Sequence, residues 1–139
     1  MIVLDTNVIS ELLRPAPDAA VARWAAAMRP RSFYTTAISE AELLLGVALM
    51  PTGRRRDNLA ATLAAIFAGV LEDRILGFDS ASAPHYVAIV ARRRDIGRPI
   101  AQSDAQIAAI CRRHGAAIAT RDAGGFDGLE IEIVNPWTD

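Results

Sequence analysis

Met1-Ile2-Val3-Leu4-Asp5-Thr6-Asn7-Val8-Ile9-Ser10 is the stretch from which the rest of the chain can be read. Ile2, Val3 and Leu4 form a continuous run of β-favouring residues, the pattern of a strand buried on both faces of a parallel sheet. A carboxylate follows at once, so Asp5 stands at the carboxyl end of that strand. Asp, Thr and Asn also serve as helix N-caps, and Asp5 capping a helix that begins near Asn7 accounts for this stretch taken alone. A further role for Asp5 depends on which other acids the fold brings to the same edge.

Further along, four more β-favourable segments punctuate longer Ala-, Leu- and Arg-rich stretches: Phe33 to Thr36, Arg74 to Phe78, Ala116 to Thr120 and Glu130 to Val134. This alternation predicts an α/β chain with a parallel sheet. The helices have readable ends. Pro15 and Pro17 close the first, Asp18 caps a second through Met28, and Met50-Pro51-Thr52-Gly53 stops one that begins near Ser39. Further helices are expected over Arg54 to Val70, Ser80 to Asp95, and Ser103 to His114, the last with Gly115 as its carboxyl cap. With no internal repeat or low-complexity linker, residues 1–139 are read as one domain.

Composition narrows the classes. Hydrophobic residues make up 52% and charged residues 22%, which gives a real core and excludes a disordered chain. The single cysteine, Cys111, can form neither an internal disulfide nor a zinc site, so the expectation is a core thiol in a reducing cytoplasm. No run approaches the roughly 18 uninterrupted apolar residues of a membrane span, and Asp5 interrupts a signal-peptide reading. All 15 basic residues are arginine, clustered at Arg54 to Arg56, Arg92 to Arg94 and Arg112 to Arg113. Arginine forks match phosphate oxygens, but a net charge of −1 gives no bulk signal for a nucleic-acid partner, and each cluster also reads as a solvated helix face.

Open parallel sheets bind ligands outside the carboxyl ends of their strands, where the strand order reverses. Several acids fall at that edge. Asp5 follows the first strand, Glu42 lies early in the helix after the second, Asp104 opens the helix before the fourth, and Asp122 lies just after it. Each also has a local structural explanation. Ser39-Glu40-Ala41-Glu42 fits a capping box, Ser103 can cap the helix carrying Asp104, and Asp122 sits in a Gly-rich loop. Asp79 also follows a strand and reads most simply as a cap.

The four acids together say more than any one. Two carboxylates about 4 Å apart repel by roughly 4 kcal/mol at an effective dielectric near 20, so a gathered set calls for a cation. An all-oxygen set favours Mg²⁺ or Mn²⁺, and zinc is disfavoured because His85, His114 and Cys111 are isolated in sequence. Such a metal acidifies bound water and neutralises a phosphodiester during in-line displacement, which makes phosphodiester hydrolysis the natural chemistry.

Leu4-Asp5-Thr6-Asn7-Val8-Ile9-Ser10, the helix Ile38 to Gly46 with Glu42, Ser103-Asp104-Ala105-Gln106-Ile107-Ala108-Ala109 and Thr120-Arg121-Asp122 together resemble the PIN-domain nucleases. Their order and spacing are similar to those of VapC-type toxins of type II toxin-antitoxin pairs, over essentially the whole chain. The resemblance implies a three-layer α/β/α sandwich around a five-stranded parallel sheet. It implies Asp5 and Asp104 as the principal Mg²⁺ or Mn²⁺ ligands, Asp122 holding the metal or its waters, and Glu42 positioning or deprotonating the attacking water. Thr6, Asn7 and Thr120 become supporting polar groups, while Asp79 has no role at the site. The implied substrate is RNA and the implied partner a cognate, DNA-binding antitoxin. Trp24 and Phe67 suggest apolar helix faces for homodimerisation and for a partner helix, although core packing explains them as well.

Two other readings come from different classes. A phosphoryl-accepting receiver or haloacid-dehalogenase-like phosphatase also places Asp at a strand terminus, but it needs a lysine that this chain lacks, and the phosphatase needs a second Asp where Asn7 stands. A non-catalytic scaffold would use the acids as caps. Metal-dependent RNA cleavage that is lost on Asp5→Asn or Asp104→Asn separates the nuclease from both.

Overall fold

A computed structural model describes residues 1–139. Its elements run β1 (Ile2–Leu4), α1 (Thr6–Leu12), α2 (Ala19–Ala27), β2 (Phe33–Thr36), α3 (Ala37–Ala48), α4 (Arg54–Ala65), β3 (Ile75–Leu76), α5 (Ala83–Asp95), α6 (Gln102–His114), β4 (Ala117–Ala119), α7 (Ala123–Phe126) and β5 (Ile133–Val134). The five strands form one all-parallel sheet in the order β3-β2-β1-β4-β5, as the alternation predicts. The central strand is β1, with Val3 level with Tyr34 on one side and with Ile118 on the other. The strand order reverses at β1.

Strand alternation divides the core into two halves. Val3 and Ile118 face a cluster completed by Ile89 of α5, Ala108 of α6 and Phe126 of α7. Leu4, Phe33 and Ala119 face the opposite cluster, which contains Val8 of α1, Leu43 of α3 and Leu63 of α4. Helices therefore cover both faces, giving the expected α/β/α layers. Ala105, Ala108 and Ala109 are all fully buried, and their small side chains let α6 lie close against the sheet. Ile118→Ala would remove a fully buried side chain at a cost of about 2–5 kcal/mol.

Helix ends repay closer reading. Asp18 caps α2 as expected, accepting from the amides of Ala20 and Val21. Gly115 closes α6 in the left-handed region at φ 63°. The helix expected through Val70 remains α-helical only to Ala65, and Ile66–Val70 widens into a π turn closed by the Leu71 amide donating to the Ile66 carbonyl. In a regular α-helix, Leu63 and Leu71 would sit about 80° out of phase. The extra residue turns both onto the same core, where they are 1% and 2% exposed.

Other boundaries are shorter than expected. Edge strand β3 covers two of the five residues read as strand, because the Arg74 guanidinium turns back to the Phe33 carbonyl and Phe78 stacks edge-on against Tyr86. Strand β5 begins only at Ile133, since Glu130 adopts φ 59° and cannot continue a strand. Helix α5 begins at Ala83 instead of Ser80. Asp79 still caps, but it closes the preceding turn by accepting from the Ser82 amide and hydroxyl. Trp24 and Phe67 are partly buried and pack against the Leu4 cluster, and the exposed large apolar residues include Leu45 of α3, Leu49 just after it and Val87 of α5. No helix is long and apolar enough to cross a membrane.

Candidate active site

The carboxyl ends of β1 and β4 lie side by side at the reversal point, joined by the Asp5 amide donating to the Ala119 carbonyl at 3.0 Å. Asp5 does cap α1. Its Oδ1 accepts from the Thr6 amide at 2.8 Å, while Oδ2 accepts from the Thr120 hydroxyl at 2.8 Å and from Asn7 Nδ2 at 3.4 Å. Asn7 spans the seam, donating to Thr120 Oγ1 at 3.3 Å and accepting from the Arg121 amide at 3.2 Å. Cap and cleft therefore use the same carboxylate.

Glu42 is free of the capping role its sequence suggests. Thr36, at the end of β2, caps α3 by accepting from the Ser39 amide at 3.1 Å. That starts the helix two residues early and makes Ser39 a buried first-turn residue, so no capping box forms. Glu42 instead accepts from the Thr6 hydroxyl at 2.7 Å. Ser103 does not cap α6 either, because the cap position is Ala101 and no side chain bonds there. Asp104 thus sits in the open first turn, where the helix dipole favours a carboxylate. Asp122 caps α7, its Oδ1 accepting from the Gly125 amide at 3.1 Å.

The four acids interact electrostatically. Burial pushes the Asp5 carboxyl above its ordinary value, hydrogen bonds from Thr120 and the Thr6 amide pull it back, and Glu42 and Asp122 push it up again. Burial also raises Asp104, followed by Asp5, Glu42 and Asp122. All three ion pairs of the protein lie elsewhere, on Glu11, Glu130 and Asp79, so no arginine or histidine neutralises the cleft. Neither do the acids form a closed cage, since no three His, Cys, Asp or Glu side chains stand ready to hold a metal. The donor set suits a hard divalent cation that takes one or two carboxylates and keeps several waters, and it lacks the histidine and cysteine ligands that zinc favours.

A groove between α1, α3 and α4 opens onto this cleft. Thr6 and Glu42 stand among its lining residues, with Leu43 and Val47 as apolar surface and Arg54 and Arg55 as basic groups. Arg112 and Arg113 lie at the other edge of the sheet, before β4, paired with Glu130 at 3.0 Å and Asp79 at 3.6 Å.

The PIN domain family matches residues 2–130. The chain belongs to the PIN-domain family. Among its relatives, the VapC ribonuclease Y4jK of Sinorhizobium fredii is 41% identical, over 99% of this chain and 98% of its own length. Toxin FitB of Neisseria gonorrhoeae is 40% identical over the full length of both. The solved structure of FitAB bound to the IR36 DNA fragment superposes with a TM-score of 0.93 at 39% identity, covering 99% of this chain and 96% of that one. In this PIN domain Arg121, between Thr120 and Asp122, holds its guanidinium 5.1 Å from the centre of the Trp137 ring. No local pattern signals that contact, because the two residues meet only once β5 has docked.

Proposed function

We propose that the protein is the toxin of a type II toxin-antitoxin pair and a Mg²⁺- or Mn²⁺-dependent ribonuclease that hydrolyses RNA phosphodiester bonds. The observation that supports this reading is the mutual electrostatic influence of Asp5, Glu42, Asp104 and Asp122, four acids from four separate segments, none of them in an ion pair. A cation bound there would offset the charge of the phosphodiester and make water easier to deprotonate. Asp5 and Asp104 would hold it, and Asp122 would secure the cation or its waters. Glu42, steadied by Thr6, orients or deprotonates the attacking water. Asn7 and Thr120 keep Asp5 from turning away.

Attack by water in line with the 3′ oxygen, which leaves as the 3′-hydroxyl, yields 5′-phosphate and 3′-hydroxyl ends. A 2′,3′-cyclic phosphate product would contradict the scheme, because it requires the ribose hydroxyl as nucleophile. RNA cleavage should vanish with chelator and return with Mn²⁺. Asp5→Asn and Asp104→Asn should each lower it by at least 100-fold at saturating metal, and near-normal rates in both would overturn the ligand assignment. The preferred RNA is to be found by sequencing cut ends after induced expression.

An unrestrained ribonuclease harms its host, so a cognate antitoxin is part of this reading. The VapC and FitB names of the relatives and the DNA-bound FitAB structure support a partner that binds DNA. The groove leading to Glu42 accommodates an antitoxin segment, and an antitoxin arginine reaching the cleft would supply the missing positive charge. Exposed Leu45, Leu49 and Val87 suit a second copy of the chain in a homodimer. The check is to compare mass and cleavage for the protein alone and with the product of its neighbouring gene. A monomer indifferent to that product would remove the toxin-antitoxin reading and leave the nuclease reading intact.

A further inference from the structure

Arg93 of α5 is 4% exposed, yet no carboxylate pairs with it. Its Nη2 donates to the Gly125 carbonyl at 2.5 Å and to the Asp127 carbonyl at 3.4 Å, and its Nε is buried without an acceptor. A buried guanidinium satisfied only in part carries an uncompensated desolvation cost. What it grips is the turn that follows Asp122.

That turn is held from two directions. After α5 the chain forms a Schellman motif, with the Arg98 amide bonded to the Arg93 carbonyl at 2.8 Å, the Gly97 amide bonded to the Arg94 carbonyl at 3.1 Å, and Gly97 at φ 70°. The motif brings Arg98 beside Arg93, and Arg98 Nη2 donates to the Gly124 carbonyl at 3.2 Å. The peptide unit joining Gly124 to Gly125 thus accepts from Arg98 at its oxygen and donates to Asp122 Oδ1 at its nitrogen. Arg93 fixes the next carbonyl. A Cβ at Gly125 would stand 2.9 Å from Asp122 Cγ, so a larger residue there would displace the Asp122 carboxylate.

We propose that Arg93, with Arg98, is a positioning residue that fixes the Asp122 carboxylate at the acidic cleft through the Gly124-Gly125 turn. The inference rests on the proposed metal-dependent nuclease only for the purpose that Asp122 serves. Two arginines remote from the reacting atoms set the direction of the Gly125 N–H, and that N–H sets which way Asp122 faces. Arg93 in this scheme is not a phosphate contact, although the sequence places it in an arginine cluster.

The test uses the full chain in four forms: wild type, Arg93→Met, Arg93→Lys and Arg98→Gln. Amide hydrogen exchange at Gly125 reads the tether without metal or RNA, and Mn²⁺ titration of the folded protein reads the consequence. Arg93→Met should lower Gly125 protection at least 10-fold and weaken Mn²⁺ binding about 10-fold, with Arg93→Lys in between. Arg98 is exposed, so Arg98→Gln will fold even if Arg93→Met does not, and it should loosen Gly125 in the same sense. Introducing Arg93→Met or Arg98→Gln into Asp122→Asn should cost no further Mn²⁺ affinity, since the arginines act only through the Asp122 carboxylate. Unchanged Gly125 protection, or fully additive losses, would make Arg93 a stability residue only and overturn the proposal. If wild type binds no Mn²⁺, the nuclease reading fails, while Gly125 exchange still decides whether the arginines hold the turn.

Discussion

The hydroxyl of Thr120 donates to Asp5 Oδ2 at 2.8 Å and accepts from the Asp122 amide at 3.1 Å and from Asn7 Nδ2 at 3.3 Å. One donor and two acceptor sites are all that a threonine hydroxyl possesses, so this fully buried group is saturated. It ties two of the candidate acids to each other across the β1–β4 seam. Thr120→Val keeps the shape, strands a buried amide and withdraws a hydrogen bond from the charged form of Asp5. We expect a loss of about 2 kcal/mol in stability. Asp5 should also become harder to ionise, so the acid limb of the cleavage profile should move to higher pH. A limb that stays put or moves down would refute the coupling.

Asp104 makes the opposite prediction for stability. Its folded-state pKa is raised above the ordinary 3.8 by burial and by the neighbouring carboxylates. The folded chain therefore binds more protons than the unfolded chain between 3.8 and the raised value. Stability weakens as pH rises through that window and stays weakened above it. Without divalent cation, Asp104→Asn should raise Tm at pH 7. The gain should disappear in acid, once the wild-type carboxyl is protonated in both states. A variant less stable than wild type at pH 7 would show that Asp104 is a structural cap.

The arginines divide by position. Arg54 and Arg55 line the groove that reaches Glu42, whereas Arg112 and Arg113 are engaged in ion pairs at the opposite edge of the sheet. In an Asp5→Asn background, Arg54→Gln with Arg55→Gln should flatten the salt dependence of single-stranded RNA binding by about 0.7 in log–log slope per lost phosphate contact. Arg112→Gln with Arg113→Gln should leave it unchanged. Equal slopes for both pairs would remove the groove from the RNA path.

Cys111 is fully buried in α6, and burial pushes its thiol up to about 12, with the Asp5 charge adding to the rise. An un-ionised, inaccessible thiol neither attacks nor is attacked. Native protein at pH 8 should resist alkylation, and labelling should follow global opening. Fast labelling under native conditions would mean that α6 separates from the sheet, which would also displace Asp104.

The sequence alone determined the architecture, because the signals involved are local. The Ile2-Val3-Leu4 run, its counterparts at Phe33 and Ala116, and the capped apolar stretches between them specify strands and helices within a few residues of themselves. Local signals also put Asp5 and Asp122 just after β1 and β4, and Glu42 and Asp104 early in α3 and α6, but they do not by themselves assign an acid to the cleft, since Asp79 follows β3 and pairs with Arg113 instead. Boundaries at β3 and β5 were less legible, being set by a side chain returning to another strand at Arg74 and by a left-handed residue at Glu130.

Only the tertiary structure decided how the acids are used. Ser39-x-x-Glu42 and Ser103 both read as caps, yet Thr36 and Ala101 occupy those positions, because the cap is chosen by where strand and loop deliver the chain. That choice leaves Glu42 to Thr6 and Asp104 to its carboxylate neighbours. The arginine clusters look alike along the chain, but the fold buries Arg93 beneath a turn, lines a groove with Arg54 and Arg55, and pairs Arg112 and Arg113 with acids. The physical reason is range. Hydrogen-bond valence and charge are satisfied by whichever groups meet in space, and residues 115 apart, such as Asp5 and Thr120, leave no trace of their meeting in the residues beside them.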